Sequence, residues 1–201
     1  MMRAVKVAAT AAVLALAAAG CGRSPEVVFY TLSPEASVVP APAAGAGAVN
    51  GPSVVVGPVS VPDLIDRPQL VVRTAPSRVD ILEMHRWAEP LKGELPSLFA
   101  QNLGRLLGST RVSSYRQYAG SAPDFRVLVD LIRFEAQPGE GVTVEANWTV
   151  RAAAGDRSGH SLVKEKAGDG YDAQVAAFNR ALAGVSADLA AAIRAQGDGG
   201  K

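Results

Sequence analysis

The sequence is poor in the residues from which most enzyme sites are built. Of 201 residues, one is cysteine and two are histidine. Cys21 has no partner for an intrachain disulfide, and together with His85 and His160 it falls short of the three or four convergent ligands that a bound zinc needs. There is no Gly-x-Ser-x-Gly elbow, and His160 lies in a Gly- and Ser-rich stretch, so a hydrolase would lack both its nucleophile turn and a positioned base. Positive charge is not in excess either, with 20 Lys and Arg against 19 Asp and Glu. Without a field of basic side chains to neutralise phosphates, nucleic-acid binding is set aside. Aromatic residues make up only 5%. The apolar stretch Val7–Ala19 is shorter than the ~20 residues that span a bilayer as a helix. Gly45, Gly47 and Gly51 do not form a phosphate-cradling loop, because their spacing is wrong and no helical pattern follows.

What is present begins with an address. Arg3 and Lys6 precede the apolar run, and small residues lead up to Cys21, which is the build of a secretory signal. Ala18-Ala19-Gly20-Cys21 resembles the lipobox of bacterial lipoproteins, with Ala18 where Leu is usual. This resemblance implies a cleaved signal peptide over 1–20, acylation at Cys21 and a lipidated tether over 21–25. One acyl chain holds a protein only marginally to a bilayer, so stable anchoring implies two or more. Gly22, in place of the Asp that retains many lipoproteins at the inner membrane, implies the inner leaflet of the outer membrane. Loss of Arg3 and Lys6 leaves 18 basic against 19 acidic side chains, a nearly neutral mature protein.

The remainder, 26–196, has the length and apolar content of one domain. Glu26–Leu32 reads as a first strand, followed by a Pro/Ala/Gly segment over 33–52 that cannot build a core. Val54–Ser60 is a strand interrupted by Gly57-Pro58, which predicts an edge position or a bulge. Val61–Pro68 is turn-rich, and Gln69–Arg73 is extended. Arg78–Met84 alternates, putting Val79, Ile81 and Glu83 on one face. A helix beginning at Pro90, with Glu89 at its positive end, carries Leu91, Leu95, Leu98, Phe99 and Leu103. Pro96 predicts a kink in it or a restart near Glu94, and Gly108 its stop. Val112–Tyr115 is a short strand. Asp124–Glu135, apolar on both faces, predicts a central strand in which Asp130 is a buried acid bonded to a neighbouring strand, to Arg133 or to Arg151. Val142–Arg151 forms a hairpin with it, 154–159 is a turn, and Ser161–Lys166 is a further strand. A closing helix over Asp172–Ala195 aligns Val175, Phe178, Leu182, Val185, Leu189 and Ile193. Residues 197–201 form a polar tail. The fold class is α+β: a single domain with a mostly antiparallel (mixed) sheet and two main amphipathic helices packed on it.

Several spaced blocks carry a resemblance. Tyr30-Thr31-Leu32, Gly57-Pro58-Val59 with Val61-Pro62-Asp63, Asp66-Arg67-Pro68-Gln69 and His85-Arg86-Trp87-Ala88-Glu89-Pro90-Leu91 occur in an order that resembles the ABC-type transport auxiliary lipoproteins, the PqiC-like family. The resemblance implies an outer-membrane-anchored accessory subunit of an MCE-type lipid-transport system, PqiABC-like or ABC-driven. Its partners would be an MCE-domain protein with its inner-membrane components, the lipid membrane through acylated Cys21, and further copies of the chain in a ring. It implies no catalysis and no cofactor. The alternative is a stand-alone periplasmic binder of lipid or peptidoglycan. His85, Arg86, Trp87 and Glu89 are the densest chemistry in the chain, and they read as a structural junction or docking point ahead of an acid–base or metal site.

Overall fold

Apolar alternation is longest in the region after residue 124, and the sheet is built outward from there. A computed structural model describes residues 26–35, 51–120 and 122–198. The signal peptide, Cys21, most of segment 33–52 and the last three residues of the tail lie outside the described residues. Strand β6 (Phe125–Gln137) pairs along its length with β7 (Gly141–Ala152), and β7 pairs with β8 (Gly155–Glu165), both antiparallel. Along its other edge β6 meets two strands in succession. β2 (Val54–Ser60) lies parallel to its first half and β3 (Gln69–Ala75) touches its end at Val72↔Ala136. β5 (Val112–Ser114) extends the sheet beside β2, and β4 (Arg78–Trp87) and β1 (Val28–Tyr30) extend it beside β3. Helices α1 (Leu91–Leu107) and α2 (Tyr171–Asp198) complete one α+β domain with a mixed sheet of eight strands.

Both helices bury their apolar stripes on the same face of this sheet. Val175, Phe178, Leu182, Val185, Leu189 and Ile193 of α2 all enter the core, against Val142, Val144, Ala146 and Val150 of β7. A chain of polar bonds locks the hairpin to the helix. The Trp148 indole N–H donates to Ser161 Oγ at 3.0 Å, and the Ser161 hydroxyl donates to Asp188 at 2.6 Å. Where α1 faces α2, buried Asn102 donates from its amide nitrogen to Ser186 Oγ at 3.2 Å, and Ser186 donates to the Leu182 carbonyl. The opposite face of the sheet is largely open, with Ile132 and Leu162 exposed beside an ion-pair cluster in which Glu145 meets both Arg133 at 2.8 Å and His160 at 3.1 Å.

Several sequence expectations change here. Strand β2 is bulged but is not an edge over its first half: Val54–Val56 lie between β5 and β6, and the register shifts across Gly57-Pro58. Gly57 has φ +109°, and the Tyr115 ring occupies the place a side chain would take. β6 is central, but a bulge between Leu131 and Arg133 brings Phe134 onto the same buried face as Val127, Val129 and Leu131 and leaves Ile132 in solvent. Asp130 is exposed, not buried; the expected bond to a neighbouring strand is there, from the Ser60 hydroxyl of β2, and not to Arg133 or Arg151. In β4 the pairing with β3 slips between Leu70↔Leu82 and Gln69↔Arg86; before the slip, Ile81 shares a face with Val79 and is exposed, while Leu82 packs on the core. The stretch 155–159 is strand, not turn, because the Trp148 ring lies where a Gly159 side chain would project, so this glycine lets the strand continue beneath the indole. Helix α1 runs unbroken through Pro96, which forfeits one bond in its second turn while Leu95, Leu98 and Phe99 pack beside it. Gly108 ends the helix in the left-handed conformation at φ 60°, as its position predicts.

Candidate functional site

Four elements meet where β4 gives way to α1. β1 lies parallel to the end of β4, pairing Val28↔His85, Phe29↔Arg86 and Tyr30↔Trp87. Trp87 is buried. Its ring stands 6.1 Å from that of Phe134 and 6.4 Å from that of Phe178, which stack on each other at 3.9 Å. Aromatic pairs of this kind contribute about 0.5–1.5 kcal/mol beyond area burial, so the cluster ties the junction to both β6 and α2. The Trp87 backbone N–H donates to the Pro68 carbonyl at 2.7 Å, and that of Ala88 donates to the Tyr30 carbonyl at 2.8 Å. His85 is half-buried: Nδ1 lies 2.9 Å from the Tyr30 hydroxyl, and the ring lies 4.3 Å from that of Tyr171 at the start of α2. Burial raises the Tyr30 pKa, and the nearby Asp172 carboxylate adds to the effect. On the other side of the strand, Arg86 donates to the Glu83 carbonyl at 2.8 Å and pairs with its carboxylate at 3.4 Å.

The helix start differs from the expectation at one residue. Pro90, at φ −58° and ψ 128°, stands outside the helix and receives the N–H groups of Gly93 and Glu94 on its carbonyl. Glu94, not the exposed Glu89, is the acid of the first turn, where it complements the positive end of the helix. Its carboxylate receives the backbone N–H of Leu32 at 2.7 Å. Burial pushes the Glu94 carboxyl above its usual range. The Leu32 N–H works against that shift and Glu89 adds to it. The next residue is held as well: Ser33 N–H donates to Asn179 Oδ1 and Asn179 Nδ2 donates to Ser33 Oγ, both at 3.0 Å. Glu94 and Asn179 therefore fasten the chain just after the first strand, and Tyr171 packs on the His85 that pairs with it. No motif marks them, and only the acid within a helical first turn is a signal for any of the three.

Beside the junction lies a cleft of about 280 Å³, lined by Asp66, Arg67 and Pro68 on one side and Trp87, Ala88, Glu89 and Pro90 on the other. Asp66 pairs with Lys92 at 2.5 Å, while the Nε of Arg67 is buried without a hydrogen-bond partner among the described residues. Three of the blocks spaced along the sequence, at 30–32, 66–69 and 85–91, thus converge on one corner of the fold. At this corner the Tyr30 hydroxyl and His85 Nδ1 are in hydrogen-bond contact. Among the described residues, no group of three or more His, Cys, Asp or Glu side chains is placed to hold a metal, and no helix is long and apolar enough to cross a membrane. What it offers is a shaped, mixed-polarity surface beside Arg86 and Glu89.

Comparison with known proteins bears on the family and the fold. A family profile described as the ABC-type transport auxiliary lipoprotein component matches residues 30–190. The fold is similar to a crystal structure of an uncharacterized protein, with a TM-score of 0.63 and 23% identity over 84% of this chain and 99% of the other. It is similar too to the crystal structure of a Xanthomonas campestris protein described under the family DUF330, with a TM-score of 0.60 and 20% identity over 87% and 100%. No curated protein matches the chain.

Proposed function

Because the chain belongs to the ABC-type transport auxiliary lipoprotein family, we propose that it is an accessory subunit of an MCE-type lipid-transport system. In this reading acylated Cys21 holds it at the inner leaflet of the outer membrane, and it acts by protein–protein docking, not by catalysis. The observation that carries the reading is the family match over 30–190, which spans all of α1, α2 as far as Ala190, and all the strands but the start of β1. The family name implies association with an ABC-type transport system and a place in the cell envelope. The MCE-domain partner, the outer membrane and a ring of several copies are the finer parts of the proposal.

The junction is the docking point in this reading. Trp87 is the buried pin that sets its shape, and the accessible parts of His85, Arg86 and Glu89, with the neighbouring cleft, face the partner. Cells carrying a photocrosslinker at Glu89 should yield an adduct with an MCE-domain protein of the same cell envelope. An adduct-free result, together with failure of the two proteins to co-purify, removes the docking reading. Replacing Cys21 by Ala should move the protein from the membrane fraction to the soluble periplasm, and persistence in the membrane fraction would contradict acylation there.

A further inference from the structure

The first strand leaves its apolar residues uncovered. Phe29 is 63% exposed and Val28 40%, and Met84, next to the His85 that pairs with Val28, is 37% exposed. β1 pairs only with β4, so its other edge is free among the described residues. An exposed phenylalanine on a sheet edge is an aggregation hazard unless something covers it.

The nearness of this patch to Cys21 along the chain points to its cover. Val28 and Phe29 follow Cys21 by seven and eight residues. At ~3.3–3.6 Å per extended residue, they cannot be farther than roughly 29 Å from the acylated cysteine. Ile132 and Leu162, the exposed apolar residues of the open face, lie on strands toward the other side of the sheet. β8 is separated from β1 by five strand spacings, or roughly 24 Å at ~4.8 Å each. We propose that the β1 edge, through Phe29, Val28 and Met84, rests against the lipid surface to which the chain is tethered, so that the domain sits on the bilayer in a fixed orientation. This inference rests on the acylation of Cys21. The patch is small and would bind lipid weakly by itself, but the tether makes the contact intramolecular and raises the local lipid concentration it meets. Charge contributes little: Arg86 beside Phe29 is already engaged by Glu83, so the contact should be nearly independent of salt.

The test uses the acylated full-length protein in vesicles of phosphatidylethanolamine and phosphatidylglycerol whose acyl chains are brominated. Phe29→Trp places a fluorophore on the patch and Leu162→Trp places one on the far strand, and matched melting temperatures show that both fold. After subtraction of the emission of the natural protein, whose Trp87 and Trp148 are common to both variants, emission from Phe29→Trp should shift to the blue and be quenched at least about twofold more than that from Leu162→Trp, unchanged between low and high salt. Flotation with the vesicles but equal quenching overturns the membrane contact and leaves the anchor standing. Shielding of Phe29→Trp from aqueous acrylamide without quenching by brominated lipid also overturns it, since a protein surface is then the cover. Failure to float overturns the anchor and the contact together.

Discussion

Glu94 shows how one side chain carries both fold and pH response. Its carboxyl has a raised pKa in the folded protein, from burial first and from Glu89 as well. A folded state that holds a proton more tightly than the unfolded chain loses stability as pH rises through the folded pKa, so ionised Glu94 is a penalty above that point. Glu94→Gln keeps an oxygen for the Leu32 N–H and removes the charge. The melting temperature of the variant relative to the natural protein should therefore climb between pH 4 and pH 7, and a pH-independent difference would refute the argument. Gly57 is constrained by its backbone instead. With φ +109° and the Tyr115 ring against it, Gly57→Ala should cost about 1–3 kcal/mol in denaturant titrations.

At the scale of elements, the helices were the most readable from sequence. The α2 stripe repeats at three and four residues without interruption, and local periodicity was enough because every member faces the same sheet. The strands were less so, since a strand's register belongs to its partner. Nothing in Leu131-Ile132-Arg133 announces the bulge opposite β7, and Gly155 to Gly159 looks like a turn until the Trp148 ring is placed across the last of them. The site was legible as blocks but not as a place. The pairing of Tyr30 with Trp87 joins segments far apart in sequence, and Glu94, which fastens Leu32, lies inside an ordinary helical turn. The contact between α1 and α2 supplies an element-scale prediction. Ser186→Ala strands the buried Asn102 amide, whose Oδ1 already lacks a partner, and should destabilise by about 1–3 kcal/mol. The double variant Asn102→Leu, Ser186→Ala should recover most of that loss in the same unfolding measurement, because two apolar groups leave no orphaned donor.

For the whole molecule, the pairings divide by sequence distance. β6, β7 and β8 form a local meander capped by α2, whereas β1 joins β4 across more than fifty residues through three residue pairs. Non-local strands repay their loop-closure entropy late and open first. Native-state hydrogen exchange should find the slowest amides in β6 and β7, and the Ala88 amide that binds the Tyr30 carbonyl should exchange sooner. The parallel seating of β1 also has a mechanical side. A pull on Cys21 falls first on those three pairs and on the Leu32 and Ser33 bonds, and only afterwards on the body of the sheet. While β1 holds, a chain anchored at Cys21, as proposed, is tied to the sheet within seven residues. At ~3.4 Å per residue, that limits its reach to roughly 24 Å. On the proposed anchoring, the short strand is the clasp that a load must open before it reaches the core.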